Sequence, residues 1–249
     1  MTGTKDIFNR TELLLGADVM EALAEKKIII FGVGGVGSWC AEGLVRSGIR
    51  HLTLVDSDLV GATNVNRQLM ATTKTVGQVK VDALRDRLVE INPEAVVEPV
   101  HKAFNEETVG EFDFDGYDYV IDAVDSLKDK ILLLLTASAS TAKLFCSMGA
   151  ALKVDPTKVK VSHFWDVRGC PLGAAIRKKM RREKTLPSND FLCVYGDEVL
   201  PNRGDSSLQN TEVDSRKAVV NGTTAHVTAI FGMTLAGLVI KDIFEEVTG

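Results

Sequence analysis

The chain alternates short apolar runs with longer stretches of helical period. KKIIIFG is a continuous β-branched run ending in glycine, the mark of a parallel strand buried on both faces. Val36 to Ser47 repeats apolar residues at helical spacing and stops at Gly48, a C-cap position. HLTLVD (51–56) predicts a second strand. TVGQVKVDALRDRLVEI (75–91) predicts an amphipathic helix halted by Asn92-Pro93. AVVEPV (95–100) and YDYVIDA (117–123) read as strands, KDKILLLLTASAST as a helix, and AKLFCSM as a further strand. Such alternation predicts an α/β fold: a Rossmann-like, doubly wound, mostly parallel sheet with helices on both faces.

On either side of this block the pattern differs. Residues 1–25 read as a polar start and one amphipathic helix, with Leu13, Leu14, Ala17, Met20 and Leu23 near helical spacing. After Gly149, KVKVSHFW alternates like a strand and AAIRKKMRREK reads as a basic helix. Leu186 to Arg216 is rich in Pro, Asn, Asp, Gly and Ser and predicts a long loop. An apolar helix, Ala225 to Val239, closes the chain. The expected organisation is an N-terminal helical segment (1–25), a Rossmann-like core (26–150) and a C-terminal extension (151–249) that completes the sheet.

With 249 residues and 45% hydrophobic content, the chain can bury one large core, with or without an appended lobe. The formal net charge of -5 argues against a protein that coats nucleic acid by overall charge. MTGTKDIFNR lacks the apolar stretch of a secretory signal. Ile131 to Leu135 and Val227 to Ile240 fall short of the roughly 20 residues that span a bilayer, so buried core helices, no stable membrane span and a cytoplasmic location are expected. Cys40, Cys146, Cys170 and Cys193 form no Cys-x-x-Cys pair, so neither structural zinc nor a disulfide framework is expected. Cys146, after a strand, is a candidate reactive thiol.

Chemistry concentrates where the first strand meets the first core helix. Gly32, Gly34, Gly35 and Gly37 let the backbone turn sharply and approach phosphate with no Cβ in the way. The helix behind them offers unpaired N–H groups and the positive end of its dipole. Asp56, at the end of the second strand, stands where an acid accepts hydrogen bonds from ribose. These features predict nucleotide binding without separating ATP from NAD. Asp58, Asn64-Val65-Asn66-Arg67-Gln68 and Lys80 turn the reading towards ATP. A triphosphate whose α-phosphorus must become electrophilic calls for an arginine fork and a lysine point charge. Asp122 and Asp125, in VIDAVDS at a strand's carboxyl end, are candidates to hold magnesium.

GVGGVGSW, LVDSD, NVNRQ, GQVK and VIDAVDS, in that order, resemble the ubiquitin-activating-enzyme-like adenylyltransferase superfamily from about Arg10 to Gly149. The resemblance implies adenylylation of a carboxylate by ATP and magnesium with release of pyrophosphate. It places phosphate and adenosine at Gly32, Gly34, Gly35 and Gly37, and ribose at Asp56. It sets Asn64, Arg67 and Gln68 around the triphosphate, Lys80 against its charge, and Asp125 beside magnesium. Arg10 resembles an arginine that reaches into a partner subunit's ATP site, which implies a homodimer.

INPE, DPTKVKV, CPLGAAIRKKMRR and VTAIFGMTLAG resemble the tRNA threonylcarbamoyladenosine dehydratase branch. There ATP activates a carboxylate on a tRNA adenosine, an internal nucleophile closes a ring, and a monovalent cation, sodium or potassium, is bound. No residue here places that cation. Arg177, Lys178, Lys179, Arg181, Arg182 and Lys184 fit a tRNA backbone or, alternatively, a solvated helix face. Trp165 is a candidate to stack on a base, although core packing suits it and Trp39 better. His163 and His226 read as structural. Competing readings are an adenylyltransferase for a ubiquitin-like sulfur carrier, an NAD-dependent oxidoreductase, and an inactive module that docks a sulfur-transfer protein.

Overall fold

The computed structural model describes residues 7–204 and 221–249. Seven strands form one sheet in the order β3-β2-β1-β4-β5-β7-β6. These are β1 (Lys27–Phe31), β2 (His51–Val55), β3 (Val96–Val100), β4 (Tyr119–Asp122), β5 (Lys143–Ser147), β6 (Val159–His163) and β7 (Leu192–Gly196). All pairings are parallel except β6 with β7. Pro99, which cannot donate to a ladder, sits on edge strand β3. β7 falls inside the stretch expected to be a loop; its signal was the apolar run FLCVYG. The remainder of that stretch from residue 205 onward lies outside the described residues.

Period-two alternation along β1 sends Ile28 and Ile30 to one core and Ile29 and Phe31 to the other. The first core is covered by α2 (Ala17–Glu25), α3 (Gly37–Arg46), α4 (Lys80–Ile91) and α7 (Ala225–Thr248). The second is covered by α5 (Leu127–Ser138), α6 (Pro171–Glu183) and a cluster of Phe31, Phe104, Phe112 and Phe114. α7 lies tightly on α3 because Gly43 and Gly232 remove side chains where the helices meet. A Cβ on Gly232 would stand 2.4 Å from Val36 O and 2.8 Å from Cys40 N.

Several boundaries differ from expectation. The N-terminal segment is two helices, α1 (Asn9–Leu15) and α2, broken at Gly16 with φ of 90°. Leu13 and Leu14 are therefore not on the core face; they are 81% and 79% exposed. Helix α4 starts at Lys80, not Thr75, because Gly77 takes φ of 88° and Val79 forms an antiparallel bridge with Leu59. α7 reaches Thr248 and, at 24 residues, is long and apolar enough to cross a membrane. Here Val227, Phe231, Leu235, Val239 and Ile243 bury one stripe of it in the first core, the pattern of an amphipathic helix packed on a sheet.

Candidate active site

Three chain segments meet at the carboxyl ends of β1, β2 and β4. The glycine turn comes first. Gly32 takes φ of 84°, and a Cβ there would stand 2.8 Å from Ala123 O. A Cβ on Gly37 would stand 1.9 Å from Gly32 O. Both positions exclude a side chain, and α3 begins at Gly37, with Ser38 N donating back to Gly34 O of the turn at 3.2 Å. Asp56 fixes the turn from β2: its Oδ2 accepts from Val33 N at 2.9 Å and its Oδ1 from Asp58 N at 2.9 Å. Burial pushes the Asp56 carboxyl above the usual aspartate value, although Lys80 and the two N–H groups pull against it.

Lys80 reaches this point through a short antiparallel ribbon. Lys80 N donates to Asp58 O at 3.1 Å and Val60 N to Gln78 O at 2.8 Å. The Nζ of Lys80, on a 6% exposed side chain, lies 2.8 Å from Asp58 Oδ2 and 4.0 Å from Asp56 Oδ1. Asn64 is spent on its own turn, its Oδ1 accepting from Gly61 N at 3.0 Å. Gln68 is buried beside Gly34 with Oε1 lacking a hydrogen-bond partner among the described residues. The Arg67 side chain packs against Gly35. Burial lowers its pKa, and the charge of Asp125 opposes that shift.

Two supports had no sequence signal. Trp39, expected to be core, donates Nε1 to Arg67 O at 3.1 Å and ties the Asn64–Gln68 segment to α3. Thr228 of α7 packs against Gly35, and Asn66 Nδ2 donates to Thr223 O at 3.3 Å, so the C-terminal extension also borders the turn.

The two loop aspartates separate clearly. Asp122 is fully buried and pairs with Lys130 at 2.8 Å, so it is not available to a metal. Asp125 is exposed on the loop that follows β4. Cys146 donates Sγ–H to Asp122 Oδ2 at 3.2 Å, and burial raises its pKa. It therefore remains a thiol and lacks the thiolate character of a reactive cysteine. Arg10, exposed on α1, takes part in none of these contacts.

The basic helix is split by its own geometry. Arg177 differs from expectation: it is buried, donating Nη1 to Phe164 O at 3.1 Å with its guanidinium over the Phe164 ring. It anchors α6 to the sheet and is not presented to a phosphate. Lys178, Arg181, Arg182 and Lys184 are exposed and Lys179 is half-buried. Arg181 stands over Trp165 at 5.2 Å. His163 pairs with Asp190 at 2.6 Å, and His226 Nε2 contacts Val154 O at 2.8 Å. α6 runs antiparallel to the strands: Gly169, before it, meets Asp197, after β7, while Asn189, beyond it, bonds Ser138 at the end of α5. The cationic end thus lies at the amino ends of the strands, about 20 Å along a 13-residue helix from the glycine-turn end of the sheet.

A cleft of about 590 Å³ opens beside β2 and β3, where the connection to β4 forms two 3-10 turns and no α-helix. It is lined by Thr53, Val96, Glu98, Tyr117 and their neighbours, and contains none of the residues gathered at the glycine turn.

A glycine turn at a helix start, a buried lysine, an arginine and a loop aspartate form an arrangement that can bind a nucleoside triphosphate and polarise it. The ThiF family model matches residues 8–248, and the chain belongs to the ThiF family, adenylyltransferases of the ubiquitin-activating-enzyme type. Within that family it falls in the tRNA threonylcarbamoyladenosine dehydratase branch. It is 37% identical over 244 residues to the tRNA threonylcarbamoyladenosine dehydratase of Bacillus subtilis (strain 168), covering 96% of this chain and 95% of that one. The crystal structure of E. coli tRNA N6-threonylcarbamoyladenosine dehydratase, TcdA, in complex with ATP matches with a TM-score of 0.85 at 31% identity. That match covers 97% of this chain and 95% of the other. The molybdopterin-synthase adenylyltransferase of Escherichia coli (strain K12) is similar over a shorter span, 33% identical across 150 residues and 59% of each chain.

Proposed function

We propose that this chain is an ATP-dependent dehydratase that adenylylates the carboxylate of threonylcarbamoyladenosine in tRNA and drives its cyclisation in the cytoplasm. The observation that carries the reading is a likeness running through both halves of the chain to a dehydratase solved with ATP. The likeness to the carrier-activating adenylyltransferase covers only 59% of the chain.

In this reading the glycine turn and the α3 amino terminus bind the phosphates, and Asp56 orders the turn and meets the ribose. Arg67 and Lys80 draw charge from the triphosphate, so that a substrate carboxylate oxygen attacks the α-phosphorus. The bond to the β-phosphate breaks and pyrophosphate leaves. An internal nucleophile of the substrate then attacks the activated carbonyl carbon and AMP leaves, removing the elements of water overall. Magnesium, when bound, neutralises phosphate charge. Among the described residues no group of three or more His, Cys, Asp or Glu side chains is gathered to hold a metal. Asp125, on the loop that follows β4, is the carboxylate that would hold the ion together with the phosphates. The same reading includes a monovalent cation.

Arg10 completes the site from a partner subunit, and the exposed Leu13 and Leu14 on the same helix supply apolar surface for a homodimer. Lys178, Lys179, Arg181 and Arg182 contact tRNA phosphates away from the reacting nucleoside. Pyrophosphate release stimulated by tRNA bearing threonylcarbamoyladenosine, and not by a ubiquitin-like carrier ending in Gly-Gly, is the expected result. Stimulation by the carrier alone overturns the reading.

A further inference from the structure

Lys130 sits in an apolar run, is fully buried, and makes contacts no part of the proposed chemistry uses. Its Nζ lies 2.8 Å from Asp122 Oδ2 and donates to Val124 O at 2.9 Å. Asp122 Oδ1 accepts from Val124 N at 3.0 Å, and its Oδ2 also takes the Cys146 thiol at 3.2 Å. Both polar backbone atoms of Val124 are thereby gripped by one buried ion pair. Val124 lies immediately before Asp125 and immediately after Ala123, whose carbonyl lies against Gly32 and whose N–H donates to Phe31 O at 2.9 Å. The pair therefore holds the loop that presents Asp125 and the floor under the glycine turn.

Energetics favour a geometric role. Burying two charges is expensive, and an apolar pair of similar volume is often as stable or more so. A fully coordinated pair does, however, restrict the loop to a single backbone course. Burial alone would lower the pKa of Lys130, but the Asp122 carboxylate more than offsets this and keeps it protonated.

We propose that Lys130 is a positioning residue for adenylylation, acting through Asp122 and Val124 to set Asp125 against the triphosphate. The proposal rests on the ATP-dependent reading above. It is tested with the full-length chain carrying Asp122→Leu and Lys130→Met together, which removes both charges and leaves neither unpaired. Asp122→Asn and Lys130→Arg serve as single variants. Melting temperature, ATP affinity with and without magnesium, hydrogen exchange at Val124, and kcat and KM for ATP are measured.

The expected double variant folds and binds ATP without magnesium within about threefold of the parent. It loses the gain in affinity from magnesium and the protection at Val124. Its kcat falls on the order of 100-fold, as for a misplaced catalytic group, with KM little changed. Lys130→Arg recovers part of the loss. A double variant with parental kcat and magnesium response overturns the proposal. Should the double variant not fold, Asp122→Asn decides on the same readouts. A parent that neither binds ATP nor releases pyrophosphate removes the underlying reading and the proposal together. An active parent matched by its variants removes the proposal alone.

Discussion

Asp56 fixes the Val33 and Asp58 amides, and in the proposed reading the same carboxylate also meets the ribose. Because burial raises its pKa, lowering the pH protonates it before an exposed aspartate. ATP affinity is therefore expected to weaken as pH falls towards the ordinary aspartate range, with the loss setting in above that range. The sign for folding is opposite. A carboxyl raised in the folded state favours the fold in its protonated form, a contribution lost as pH rises through the raised value. Calorimetric ATP titrations across this range should show the acid-side loss, and Asp56→Asn should remove that dependence. An unchanged pH profile in the variant counts against Asp56 as its source. At this scale the sequence was legible at Gly32 and Gly37, where a turn at a strand end leaves no room for a Cβ, and it brought Asp56 and Lys80 to the same place. It was silent on Lys130, since a lysine in an apolar run does not announce its partner across a strand end. It misled at Arg177, because a run of positive residues does not say which one turns inward.

Helix α7 is the element that joins the extension to the nucleotide site, and its glycines predict two opposite outcomes. A Cβ on Gly232 meets backbone atoms of α3, which cannot step aside as a side chain can. Gly232→Ala should cost about 2 kcal/mol net of its helix-propensity gain, lowering Tm by roughly 4–8 °C. It should also weaken ATP binding, because Thr228 borders Gly35. A Cβ on Gly237 meets nothing within 4 Å, so Gly237→Ala should stabilise by up to about 1 kcal/mol. Thermal melts of both variants check the packing, and equal effects contradict it. The parallel strands and most helices were readable from period alone. β7 was not, because turn-forming residues around it masked one short apolar run. Nor was the antiparallel course of β6, since alternation carries no direction.

For the whole molecule, charge and oligomerisation remain to be joined to the chemistry. The cationic end of α6 lies away from the glycine turn, so the proposed tRNA contact there requires a substrate large enough to touch both. Reversing Lys178, Arg181 and Arg182 to glutamate should weaken tRNA binding and flatten its salt dependence, while ATP affinity stays at the parental value. Unaltered tRNA affinity excludes this surface. Arg10→Ala and Lys80→Ala, each inactive alone, should regain partial activity when mixed, because a mixed dimer keeps one site with both residues. No recovery excludes a shared site.

The central claim is that ATP activates a carboxylate on a tRNA nucleoside. Mass spectrometry of nucleosides, after incubating threonylcarbamoyladenosine-bearing tRNA with the protein, ATP and magnesium, tests it most directly. A nucleoside lighter by one water is expected, with one AMP and one pyrophosphate formed per conversion. Unmodified nucleoside mass, with no AMP or pyrophosphate produced, contradicts it.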